Sequence, residues 1–135
     1  MAYAAITYKV KPGCEREITE IFADYRRPGS PFLRDAEGRQ VGILLGTALF
    51  VKDDTVVRVI HYEGGTVEDV ARHMSSQQGV REAERRMAPY LAESRDTQTA
   101  EGFMAYFSES TMTCVSALYI PTEFLHKESK INDAR

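Results

Sequence analysis

An α+β fold, with one antiparallel sheet backed by helices, is what the sequence predicts. Period-two alternation over residues 2–11 gives way to a stripe of Ile18, Ile21, Phe22 and Tyr25 at i, i+3, i+4 and i+7, the mark of a helix face. Two hydrophobic runs, residues 41–51 and 55–63, meet at Asp53-Asp54, which reads as a hairpin turn. The stretch 66–91 reads as two amphipathic helices hinged at Gly79 and laid beside that strand pair, with His73 and Glu84 where an apolar pocket could be lined.

The first strand, residues 2–11, carries Tyr3, Ile6, Thr7, Tyr8 and Val10 and stops at Pro12-Gly13. In the helix that follows, Glu15, Glu17 and Glu20 favour the N-terminal half and Arg26-Arg27 the last turn, each matching the helix dipole, before Pro28-Gly29 ends it. Residues 30–40 are rich in turn formers and charge. Beyond the hairpin and Gly64-Gly65, Thr66 is an N-cap, and Val67, Val70, Ala71 and Met74 mark the buried face of the second helix. Gly79 breaks it. A third helix, about residues 80–88, places Val80, Ala83, Met87 and Leu91 on one side and is ended or kinked by Pro89. A last strand is expected over 103–107 and 111–120, broken or extended around 108–110.

This order, βαββαβ, is that of the ferredoxin-like fold, with a domain over 1–120 and a polar C-terminal tail over 121–135. The strand runs are apolar on both faces: Val57 and Val59 lie on one side of the third strand, Val56 and Ile60 on the other. Helices cover one face, so a second copy is expected on the other, making a homodimer.

At 135 residues the chain is one domain's worth of polypeptide, and its net charge of -3 with interspersed Lys and Arg argues against nucleic acid or an anionic membrane as partner. Its longest apolar run, residues 41–51, is too short to span a bilayer, and the N-terminus alternates like a strand instead of showing a signal-peptide core, so a cytoplasmic location is expected. Cys14 and Cys114 have no metal-ligand spacing and read as free thiols; no metal and no cofactor is expected. Cys14 falls by the first turn of a helix, but with no histidine placed beside it, it reads as a structural thiol. Nucleotide-binding, serine-hydrolase and zinc-protease signatures do not occur.

What remains is a set of titratable groups in apolar company. His61 can exchange a proton near neutral pH, as enolisation or aldol closure requires, against the plainer reading of a core-edge histidine hydrogen-bonded to backbone. Alternation puts Arg58 and Tyr62 on one sheet face and His61 on the other. Arg58 offers a rigid fork of donors to an enolate or phenolate oxygen, or else forms an ion pair at an interface or strand edge. His73 flanks the buried stripe of its helix, facing either a cavity or solvent, and Glu84 reads as an exposed partner of Arg81 or Arg85. Tyr8, Phe50, Tyr62, Met74, Met87, Tyr90, Met104 and Tyr106 could line a slot for a flat polycyclic ligand, the alternative being ordinary core.

On the segments AITYKVKPGCEREITEIFADY, GTALFVKDDTVVRVIHYEG and ARHMSSQQGVREAERRMAPYL, the chain resembles the SchA/CurD-like family, found among genes for aromatic polyketides and spore pigments. It is more distantly similar to tetracenomycin-type polyketide cyclases in the PG turn, an LF strand motif and VREAERRMAPYL. That resemblance implies a dimeric α+β barrel with a pocket between sheet and helices, and an aromatic polyketide intermediate as the small-molecule ligand. Where those cyclases carry a His-Asp pair at the end of the first helix this chain has Tyr25 and Arg26, and where they carry a strand histidine it has Arg58. The acid-base set is therefore rebuilt from His61, His73, Arg58 and Tyr25. The expected activity is a cyclase acting on a poly-β-ketone or a partly cyclised phenol, with binding and orientation supplying much of the rate. The alternatives are a cofactor-independent monooxygenase turning an anthrone-like phenol into a quinone and a non-catalytic polyketide-binding partner. Related monooxygenases share the barrel but use a pocket tryptophan, and this chain has none.

Overall fold

Alternating burial along the central strand organises the molecule. In the computed structural model, which describes residues 1–23 and 29–120, β4 (Thr55–Glu63) buries Val56, Arg58, Ile60 and Tyr62 on one face. It leaves Val57, Val59 and His61 half-buried on the other. The hairpin partner β3 (Gln40–Lys52) and the first strand β1 (Ala2–Lys9) flank it, both antiparallel. A short strand β2 (Phe32–Arg34) adds to the far side of β3, giving a four-stranded sheet in the order β1-β4-β3-β2. Asp53 makes the hairpin turn with φ of 55°, a left-handed conformation that Asp tolerates.

Between Leu44 and Gly46 the β3–β4 register shifts by one residue, so Leu44 lies opposite Tyr62 while Thr47 lies opposite Ile60, and Leu45 is 44% exposed. The bulge keeps the helix-side residues of both halves of β3 on one face despite their opposite parity.

The helices are α1 (Glu15–Ala23), α2 (Val67–Ser76), α3 (Gln78–Met87) and α4 (Ala100–Ser110). Thr66 caps α2 in a full capping box: its hydroxyl accepts from Asp69 N, and the Asp69 carboxylate accepts from Thr66 N at 2.8 Å. The break before α3 falls at Gln77, two residues ahead of the expected Gly79, and Pro89 ends α3 in a 3-10 turn, Ala88–Tyr90. Two clusters of side chains fill the space under the sheet. One joins Ile6, Ile60 and Tyr62 to Val70, Met74, Phe103 and Phe107; the other joins Val10 and Val56 to Ile18, Ile21, Ala83 and Met87.

The α+β class with an antiparallel sheet stands, but the identity of the fourth strand changes. Residues 103–107, expected as strand, belong to α4, because Phe103, Tyr106 and Phe107 fall at i, i+3 and i+4 on one buried face. Thr99 starts that helix, its hydroxyl accepting from Gly102 N and donating to Asp96. Residues 112–120 carry no regular secondary structure; beside the bridge of Thr111 with Ile6, Met112 N donates to Ala5 O at 2.7 Å, and Tyr119 stacks on Tyr3 of β1. The expected tail, 121–135, lies outside the described residues, as do Tyr25 and Arg26.

Candidate functional site

Arg58 interrupts an otherwise apolar row, between Val56 and Ile60, at the seam of the two side-chain clusters. It is 8% exposed, stacks over the Phe22 ring at 5.3 Å and donates to Thr47 Oγ1 at 3.4 Å. The pairing of β1 with β4 sets Ile6 opposite Arg58 and Tyr8 opposite Val56, so Tyr8 lies on the same helix-facing side. From α4, Tyr106 packs edge-on to Tyr8 with ring centres 6.0 Å apart.

Behind these rings lies a buried ion pair absent from the expected set. Arg95 donates to both Glu84 oxygens from Nη2, at 3.1 and 2.9 Å, with the two side chains only 13% and 10% exposed. Its guanidinium carbon sits 3.7 Å from the Tyr106 ring centre and 4.1 Å from that of Tyr8. Glu84 therefore pairs with Arg95 and not with Arg81 or Arg85, because α3 turns it inward beside Ala83. Arg95 is brought in by the segment after α3, which is tied to β1 through Ala92 N to Lys9 O at 3.1 Å.

Two spaces meet at Tyr106. The outer one, an open cleft of about 780 Å³, is lined by Tyr8, Arg95, Tyr106 and residues 9–11 at the end of β1. The inner one, about 10 Å³ and the size of a single oxygen atom or water, is bordered by Arg58, Glu84, Met74, Phe22 and Phe103 as well as Tyr106. Burial pushes the Tyr106 phenol well above its ordinary value, with Glu84 adding to the rise and Arg95 opposing it. Burial raises Tyr8 in the same way, so both are hydrogen-bond donors at neutral pH and neither is a base. The Arg58 guanidinium borders the inner space among aromatic rings, a setting that favours negative charge growing on a substrate oxygen placed there.

The structure gathers Tyr8, Arg58, Met74 and Tyr106 and disperses the rest. His61 is on the outer sheet face, stacked on Tyr3 at 4.6 Å, with Nε2 buried and without a hydrogen-bond partner among the described residues. Phe50 is on that face too, 61% exposed. Met87 is fully buried in the second cluster with Tyr90 packed against it, Tyr62 is in the first, and Met104 lines a separate groove between α2 and α4. Cys14 donates to Lys11 O at 2.8 Å, and burial raises its thiol, which suits a structural role.

His73 is buried on α2 and borders a cleft with Ser30, Phe32 and Arg34, away from Arg58. Burial lowers its pKa, a bond to the Ser30 backbone partly opposing this. A histidine held neutral in the fold but free to protonate when unfolded contributes stability above its unfolded pKa of about 6.5, and that contribution is lost as pH falls through the folded value. Urea midpoints measured from about pH 7 down to about pH 5 are expected to fall less steeply for His73→Gln than for the parent; equal slopes would remove His73 from that dependence.

Comparison with known proteins identifies the lineage. The SchA/CurD like domain family matches residues 1–120. The chain belongs to that family. This SchA/CurD-like domain is 33% identical over 111 residues to "Polyketide synthase CurD" of Streptomyces cyaneus, covering 82% of the chain and 28% of that protein. It is 31% identical to the "42.8 kDa protein in whiE locus" of Streptomyces coelicolor and 29% identical to "Protein SchA" of Streptomyces halstedii, again covering 82% of the chain and 26% and 27% of those proteins. The SchA/CurD-like domain thus spans about a quarter of the length of these relatives. No solved structure matches it significantly. Among the described residues no helix is long and apolar enough to cross a membrane.

Proposed function

We propose that the domain acts in aromatic polyketide biosynthesis as a cyclase, holding a poly-β-ketone or partly cyclised phenol in the open cleft and steering ring closure. The observation that carries this reading is Arg58, buried among aromatic side chains beside a space of about 10 Å³ that shares Tyr106 with the open cleft. A substrate body lies against Tyr8 and Tyr106, and one carbonyl oxygen reaches past Tyr106 into the small space. There the Arg58 guanidinium stabilises the enolate as the substrate's activated α-proton passes to water in the open cleft, and the Tyr106 phenol donates a hydrogen bond to the enolate oxygen. Fixing the orientation of a reactive polyketone supplies a further part of the rate. The names of the relatives support the pathway, and His61 and His73, standing on opposite sides of the sheet and outside this space, have no part in the step.

The test is to co-express the chain with an aromatic polyketide synthase that otherwise releases mis-cyclised products, under labelled oxygen gas. A shift to one ring pattern with no label incorporated supports cyclisation. Label entering a quinone product means oxygenation, and an unchanged product mixture means that the domain only binds.

We also infer that a second copy of the chain covers the outer sheet face, because Ala5, Ala48, Phe50, Val57 and Val59 present it as apolar surface between charged ends at Lys9 and Lys52 and at Glu63.

A further inference from the structure

Residues 112–120, MTCVSALYI, have the composition of a buried strand and the exposure of a loop. Val115 is 92% exposed, Leu118 89% and Ile120 58%. An apolar segment of this kind sits in water only at a cost, so its native setting includes a surface that Val115, Leu118 and Ile120 do not find among the described residues of their own chain.

The free edge of β1 cannot supply that surface. Antiparallel pairing continued from Thr111 opposite Ile6 would set residue 112 against Ala5, 113 against Ala4, 114 against Tyr3 and 115 against Ala2. There the sheet ends, because β4 gives way to Gly64-Gly65 just beyond Tyr62, which lies opposite Ala2. Residues 116–120 would overhang by about 17 Å at roughly 3.4 Å per residue. In the structure the segment leaves β1 after Met112, and its far end returns to the rim of the outer face, where Tyr119 stacks on Tyr3 at 5.5 Å and Tyr3 stacks on His61.

We propose that residues 112–120 are an arm that crosses to a second copy of this chain and packs Val115, Leu118 and Ile120 on that copy's outer sheet face, around Phe50, Val57 and Val59. This rests on the homodimer inferred above and goes beyond it. Strands of 8, 3, 13 and 9 residues, at about 3.4 Å along and about 4.8 Å across per residue, present a footprint of roughly 540 Å², short of the about 800 Å² per partner that a stable dimer buries. Exchanged arms make up the difference. They also close over His61, whose Nε2 is already shut off from solvent at that rim.

Cys114 provides the probe, being exposed on the arm while Cys14 is buried. Full-length protein labelled with ¹⁵N is co-refolded with an equal amount of unlabelled protein, tagged at Cys114 with a thiol-reactive benzophenone, irradiated and digested. The expected result is cross-links from the arm to peptides of β3 and β4, half of them joining one labelled and one unlabelled chain, and none from Cys114→Ser. A protein that is dimeric by light scattering but gives only same-isotope cross-links overturns the arm while leaving the sheet-face dimer. A monomeric protein overturns both.

Discussion

Replacing Glu84 with Ala is expected to destabilise the fold by about 3–5 kcal/mol, read as a drop in the urea midpoint at unchanged slope. Its partner Arg95 would be left with its charge buried between Tyr8 and Tyr106, and the bidentate bonds at 3.1 and 2.9 Å have no replacement there. The loss comes from stranding a charge and not from the worth of the pair, so Glu84→Leu combined with Arg95→Met should recover most of it. A single-variant loss below about 1 kcal/mol, the range of exposed ion pairs, would show that Arg95 escapes to solvent through the open cleft. Arg95 lines the outer cleft and Glu84 the inner space, so the double variant alters both walls and is predicted to bind substrate in more than one orientation and to broaden the product pattern.

Arg58→Met should lower the rate of correctly cyclised product by about 100–1000-fold, the range seen when one donor to a developing oxyanion is removed. Met keeps most of the volume against Phe22 and takes away the charge, so the unfolding midpoint is expected to hold or rise. Substrate binding, followed by quenching of tyrosine fluorescence, should weaken far less than turnover, since the ring body rests on Tyr8 and Tyr106. Arg58→Lys should restore only part of the rate, because a point charge lacks the planar fork of donors. Full activity in Arg58→Met would make Arg58 a structural residue of the seam and assign the stabilisation of the enolate to other groups.

The sequence made the sheet–helix layering legible wherever one period dominated. Alternation in β4 correctly separated Arg58 and Tyr62 from His61, and the stripes of α1, α2 and α3 named Ile18, Ile21, Val70, Met74, Val80 and Met87 as buried. Residues 103–107 misled because a short aromatic run fits a buried strand as well as a helix turn. The deciding signal was upstream, in Asp96 and Thr99, which form the start of α4. β2 escaped notice because only Leu33 of its three residues is buried. At the site, Tyr8, Arg58 and Tyr106 were readable as candidates, while Arg95 was not. It sits in a polar connection whose path depends on a backbone bond from Ala92 to Lys9, and a contact between segments so far apart leaves no local pattern.

A strand has a reading frame of two, and the extra residue at Leu45 resets it. Upstream of the bulge the helix side of β3 is written in even positions, Gly42 and Leu44; downstream it is written in odd ones, Thr47, Leu49 and Val51. Deleting Leu45 would merge the two frames without moving any helix-side residue off its face, whereas deleting Ala48 would turn Leu49 and Val51 outward and bring Phe50 in. Length changes within this strand are therefore not equivalent: one position absorbs them, and its neighbours transmit them to Arg58 through the residues that pack around it.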